Sequence, residues 1–301
     1  MAYKRRYEST ELHILEYLNT RMDLSEGDKR NYLNLKKGYE GEKLFDSLIE
    51  TIQSDCIILN DLLLKNKSTI FQIDSLIIFQ DLIYLFEVKN YEGDFYYESD
   101  SLYRLPKSEV TNPLNQLKRT ESHLRQVLNS LGYNFQIRAF IIFINPEFTL
   151  YKTPLNMPFI FSTQLKRFLN QLNSLSSTVK ENHRMLAEKL NTIHIQESPY
   201  KNVPKYEYEH LRKGIICEKC SSFSIAIEGS TCVCKDCGNK ERLGNAIIRS
   251  VNELKILFPQ RKITTNGIHE WCKIVNPKQR IQRVLQKNFI KRGTHQWMYY
   301  E

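Results

Sequence analysis

Phe71-Gln72-Ile73-Asp74 and, one hairpin later, Phe86-Glu87-Val88-Lys89 decide the reading of this chain, because their spacing predicts two carboxylates and an ammonium side by side. The runs around them, Phe71 to Phe79 and Leu82 to Asn90, are rich in β-branched and aromatic residues and read as two strands joined at Gln80-Asp81. A two- or four-residue loop there sets Asp74 opposite Glu87 and Gln72 opposite Lys89; a three-residue loop takes Asp74 out of direct opposition. Side chains alternate along a strand, so Glu87 and Lys89 share a face and Asp74 joins them across the ladder. Leu76, Ile78, Ile83 and Leu85 are expected to continue that face, with Ile73, Ile77, Phe86 and Val88 on the other. Glu-Val-Lys alone is a common edge-strand tripeptide whose charges neutralise each other in solvent. At the end of a sheet covered on both faces, charges need a further reason, and adjacent carboxylates raise one another's pKa unless a cation lies between them.

Working outward, Gly38-Tyr39-Glu40-Gly41-Glu42 is read as the opening of an amphipathic helix with Leu44, Phe45, Leu48, Ile49 and Ile52 at helical spacing. Glu42 falls on its core side, within reach of the same cluster, and Gly38 and Gly41 allow a close backbone approach. Asn112-Pro113 marks a helix start, with Asn as N-cap, and the helix is expected to run to Gly132. Gln116 lies in its first turn beside Lys118 and Arg119.

Gly38-x-x-Gly41-Glu42, Gln72-Ile73-Asp74, Glu87-Val88-Lys89-Asn90 with Gly93 following, and Asn112-Pro113-x-x-Gln116 together resemble the nuclease-related domain, NERD, a branch of the PD-(D/E)xK nuclease superfamily. The resemblance covers about residues 34–165. It implies an α/β, restriction-endonuclease-like core, a mixed sheet flanked by helices, with the site on its second and third strands. It further implies that Asp74 and Glu87 hold magnesium (or manganese), that Glu42 supports the metal shell, that Lys89 positions the attacking water, and that Gln116 is the polar residue carried on the helix. Hard oxygen ligands suit magnesium, and an ammonium nearby stabilises charge gathering on a phosphorane.

The last third carries two further signals. Cys217-Glu218-Lys219-Cys220 and Cys234-Lys235-Asp236-Cys237 are a pair of C-x-x-C knuckles at zinc-ribbon spacing, with a strand expected from Phe223 to Glu228 between them. Cys232 is a surplus cysteine and is not expected to ligate. Residues 244–301 hold eleven Lys or Arg and three Glu, so +8 of the chain's net +9 is concentrated there. Helices are expected over Ala246 to Phe258, Thr265 to Ile274 and Asn276-Pro277 to about Phe289, then a turn at Arg292-Gly293 and a strand from Gln296 to Tyr300. This order is similar to a winged helix, and Arg280, Arg283, Lys287, Lys291 and Arg292 are its expected nucleic-acid contacts.

The organisation expected is an N-terminal helical segment (1–33), a nuclease domain (34–165), a helical connector and linker (166–213), a small zinc ribbon (214–243) and a basic winged-helix-like domain (244–301). The leucines of the N-terminal segment are expected to pack on the nuclease core. An odd cysteine count with four in knuckles favours a reducing cytoplasm over disulfides, and no apolar run is long enough to span a membrane. The function expected is magnesium-dependent hydrolysis of nucleic acid, DNA foremost, in repair or in defence against foreign DNA, with a homodimer or a protein partner left open. The alternative is a non-catalytic nucleic-acid-binding regulator, or a protein-interaction module, that keeps the nuclease fold as scaffold.

Overall fold

The Ser9 hydroxyl accepts from Leu12 N at 3.1 Å and starts α1 (Thr10–Arg21), and Glu26 and Asp28 favour the positive end of the long helix α2 (Glu26–Ile49). There follow β1 (Ile57–Asn66), β2 (Thr69–Ile78), β3 (Leu82–Lys89), β4 (Gly93–Glu98), β5 (Ser101–Arg104), β6 (Ser108–Val110) and α3 (Pro113–Ser130). Then come β7 (Gln136–Phe143), β8 (Phe148–Tyr151), β9 (Phe159–Phe161), α4 (Ser162–Asn173) and α5 (Glu181–Thr192). The computed structural model describes residues 1–294 and 297–301. It divides into two units, Met1–Glu8 with Leu33–Tyr200, and Ser9–Tyr32 with Lys201–Glu301.

The first unit is α/β. Its main sheet has the order β1-β2-β3-β7-β9, antiparallel across the first three strands and parallel from β3 onward. A second sheet, β6-β5-β4-β8, joins it in one core with α3 and α5: Leu76, Ile78, Ile83 and Leu85 pack with Phe95, Leu117, Leu124 and Leu186. The opposite face of the main sheet, Ile77, Tyr84, Phe86 and Val88, packs on Phe45 and Ile49 of α2 and Leu165, Phe168 and Leu169 of α4. Part of the stretch expected to be a connector, α4 and α5, therefore packs into the cores of this unit. α3 begins as read, with Asn112 Oδ1 accepting from Leu114 N at 3.0 Å and Pro113 in the first turn, and Gly132 follows its end at φ +83°.

Three local expectations change. α2 starts twelve residues before Gly38, and Leu44, expected inside, is 49% exposed. Ile73 packs with Leu76 and Ile78, not opposite them, because the alternation of β1 and β2 shifts phase where Asp61, at φ 57°, meets Asp74. On each side of that point the β1–β2 register is unchanged, Asn60 pairing with Ser75 and Leu62 with Ile73. The shift puts consecutive polar residues, Asp74 and Ser75, into a buried stretch of β2.

In the second unit the order continues with β10 (Ile225–Glu228), β11 (Thr231–Cys234), β12 (Lys240–Arg242), α6 (Leu243–Leu257), α7 (Thr265–Cys272), α8 (Gln279–Asn288), β13 (Lys291–Arg292) and β14 (Tyr299–Tyr300). Gln296, the expected start of the last strand, lies outside the described residues. α1, expected with the nuclease core, belongs to this unit, where Ile14 and Leu18 share a cluster with Ile247, Val251, Trp271 and Leu285. The tie is polar as well. Arg21, fully buried, grips Glu253 at 2.6 and 2.7 Å, donates to Arg212 O at 2.5 Å and lies 4.0 Å from the Trp271 ring centre. Among the described residues no helix is long and apolar enough to cross a membrane.

Two of the glycines of α2, Gly38 and Gly41, differ sharply. A Cβ on Gly41 would meet Asn90 Cβ at 2.5 Å, just beyond Lys89, whereas one on Gly38 has nothing within 4 Å. Gly41→Ala is expected to destabilise the first unit by about 1–3 kcal/mol through overpacking. Gly38→Ala is expected to stabilise it by roughly 0.5–1 kcal/mol through helix propensity. Denaturant melts of the two variants check the pair; a neutral Gly41→Ala contradicts the close approach.

Candidate functional site

Asp74, Glu87 and Lys89 sit where β2 and β3 part. The register is the expected one, with Ser75 opposite Phe86 and Leu76 opposite Leu85, but the ladder ends at Ser75, one residue short of pairing Asp74 with Glu87. In place of that pairing, Asp74 Oδ2 accepts the backbone N–H of Val88 at 2.7 Å. Gln72 does not meet Lys89; its amide donates to Asp61 Oδ1 at 3.0 Å.

Asp74 and Glu87 are 6% and 3% exposed, so these charges lie in the interior. The Lys89 ammonium donates to Glu87 Oε1 at 2.7 Å and to Gln116 Oε1 at 3.1 Å, which brings three of the expected residues into one hydrogen-bonded chain. Burial pushes the Glu87 carboxyl well above its ordinary range and the charge of Asp74 adds to this, with Lys89 offsetting part. Burial likewise raises Asp74, against the Val88 N–H and Lys89. For Lys89 burial acts downward, yet Glu87 outweighs it and the ammonium is held protonated.

Glu42, on α2, interacts electrostatically with Asp74 and takes no part in the Lys89 chain of hydrogen bonds. Burial raises its pKa first and Asp74 second. Its Oε2 is held by Arg6 Nη1 at 2.5 Å. Arg6 also donates to Asp46 at 2.9 and 3.2 Å and to the backbone oxygen of Asp74 at 2.6 Å, while Ser75 Oγ donates to Asp46 Oδ1 at 3.2 Å. Arg6 and Asp46 were not legible as site residues. Arg6 belongs to a short basic run, Lys4-Arg5-Arg6, and the one available signal was the number of carboxylates needing a cation. Glu42, Asp74 and Glu87 do not converge as a trio within 4.8 Å. What fits a hard divalent ion is the pair Asp74 and Glu87, two buried carboxylates that repel each other and whose Oδ1 and Oε2 have no protein donor among the described residues.

The four knuckle cysteines do converge. Their sulfurs lie within 4.8 Å of one another, with Cys217–Cys237 and Cys220–Cys234 at 3.6 Å. Burial would raise the Cys217 thiol, but the backbone N–H groups of Cys220 and Lys219 outweigh it and bring it down to about 7, toward the thiolate a metal requires. Four thiols on two tight turns over the sheet β10-β11-β12 are compatible with a zinc ribbon. Cys232 is buried in the apolar cluster of this unit and is not part of the group.

The expected nucleic-acid contacts divide. Arg283 and Lys287 on α8 and Lys291 on β13 are exposed. Arg280 is half-buried and donates to Gly229 O at the β10–β11 turn and to Asn276 O, and Arg292 pairs with Glu301 Oε2 at 2.9 Å, so neither presents an unengaged guanidinium.

Comparison with curated proteins gave no match, and neither did comparison with solved structures. Residues 37–144, the stretch that carries Gly41, Glu42, Asp74, Glu87, Lys89 and Gln116, match the family model of the nuclease-related domain, NERD.

Proposed function

We propose that this protein is a divalent-metal-dependent nuclease that hydrolyses phosphodiester bonds in nucleic acid, with DNA as the first substrate to test. The observation that carries the reading is the buried pair Asp74 and Glu87 with the Lys89 ammonium 2.7 Å from Glu87, inside the stretch that matches the nuclease-related domain. Asp74 and Glu87 would hold magnesium or manganese, which supplies a Lewis acid and a water of lowered pKa. Asp74 is oriented by the Val88 N–H, which fixes one carboxylate oxygen and leaves the other for the ion. Lys89, kept charged and aimed by Glu87 and Gln116, offers its remaining N–H to the attacking water and to the oxyanion that develops at phosphorus. Gln116 aims the ammonium without adding charge, and Glu42 acts on Asp74 from α2. The cysteine cluster would hold one structural zinc, and the winged-helix-like remainder of the second unit would bind the polymer through Arg283, Lys287 and Lys291.

Purified protein incubated with linear, nicked and single-stranded DNA and with RNA is expected to cleave in the presence of magnesium and not without it. Asp74→Ala and Lys89→Ala are each expected to lower the rate by about 100-fold or more, in line with the loss of roughly 3–4 kcal/mol of transition-state stabilisation. Cleavage untouched by both substitutions refutes the assignment, and binding without cleavage favours the scaffold reading.

Zinc contributes on the order of 10 kcal/mol to the folding of such modules. Cys217→Ser is therefore expected to lose the metal and unfold the ribbon, seen as one zinc fewer per chain by elemental analysis and loss of amide-exchange protection over residues 215–242.

DNA affinity should fall with salt, and Lys287→Ala should reduce the slope of log K against log salt by about one, while Arg292→Ala leaves it nearly unchanged. An equal effect of both contradicts the division drawn between them.

A further inference from the structure

The segment that delivers Arg6 lies outside the stretch matching the nuclease-related domain. Tyr3 N donates to Ile58 O at 2.9 Å and Asn60 N to Lys4 O at 2.9 Å, so the first residues run parallel beside β1. Lys4, 8% exposed, fastens the strap by donating to Asn60 O at 2.9 Å and Asp61 O at 2.6 Å. Two residues on, the Arg6 side chain is 4% exposed and spends its fork on Glu42, Asp46 and the backbone of Asp74. A buried guanidinium with three such partners has one position open to it.

Charge counting gives this position a meaning. Four acids around the end of β2 and β3, Glu42, Asp46, Asp74 and Glu87, interact electrostatically without converging on one point, and two buried cations, Arg6 and Lys89, face them. Lys4 and Asp61 adjoin the group and offset each other, and Arg119 on α3 is exposed and screened by solvent. With all four acids ionised the cluster carries two negative charges, which one divalent ion neutralises. A second ion would leave an interior site with two positive charges, a cost the low-dielectric surroundings make prohibitive. Arg6 already engages Glu42 and Asp46, the carboxylates that a second ion beside Asp74 would draw on.

We infer that Arg6 is a positioning residue standing in place of a second metal ion, so that the site takes one divalent ion per chain, between Asp74 and Glu87; this rests on the nuclease reading. The test counts manganese bound to the full-length, zinc-loaded protein by electron paramagnetic resonance, scoring the ions that Asp74→Asn removes. The wild type is expected to bind one, Arg6→Lys one, and Arg6→Gln two, because the freed Glu42 and Asp46 then offer a second set of ligands. Two ions in the wild type, or one in a folded Arg6→Gln, overturn the inference and leave the nuclease reading standing. No ion sensitive to Asp74→Asn overturns both. The wild-type count decides the matter even where Arg6→Gln does not fold.

Discussion

An ionised carboxylate taken out of water must find a cation, a hydrogen-bond donor or a proton. The first unit draws Asp74 and Glu87 into the end of an otherwise apolar sheet, and much of its local architecture answers that demand. The Val88 N–H leaves the ladder to serve Asp74, Lys89 is folded back onto Glu87, and the start of α3 supplies Gln116 to steady the ammonium. Behind Asp74, Arg6 and Ser75 tie α2 to β2 through Asp46. Among the described residues, the carboxylates whose pKa is raised, Glu42, Asp46, Asp74 and Glu87, all lie around this end of the sheet.

Much of this was legible because it rests on short-range rules. Strand alternation and loop length gave the β2–β3 register; an Asn-Pro pair gave the start of α3; knuckle spacing gave the cysteine cluster. The failures have a common physical source in long-range compensation. The phase shift at Asp61 and Asp74 is invisible to a period-two pattern, because each half of the strand obeys the pattern and only their join does not. Arg6 is about seventy residues from the backbone oxygen it binds, and nothing local distinguishes it from Arg5. Gly38 and Gly41 look alike in sequence, and only the packing of Asn90 separates them.

Net charge was a blunter guide in the second unit. Basic residues on one segment do not form one surface. Arg280 is spent on the β10–β11 turn and Arg292 on Glu301, and Arg21 shows how far the use of a guanidinium as internal scaffold goes here, binding Glu253 and two backbone carbonyls under an aromatic ring. In each case a planar donor array satisfies several fixed acceptors at once, which an ammonium cannot do with the same geometry.

The chain order of the two units has a consequence for synthesis. Residues 1–8 and 33–200 build the first unit, while 9–32 and 201–301 build the second. On a ribosome, the sheet with its acidic cluster is complete in sequence once residue 200 has emerged. α1, with Ile14 and Leu18, must then wait for α6 to α8 before its apolar stripe is covered. The unit with the carboxylates can thus be finished while its companion is still an exposed helix, and the nascent chain carries that uncovered stripe through the making of the whole α/β core.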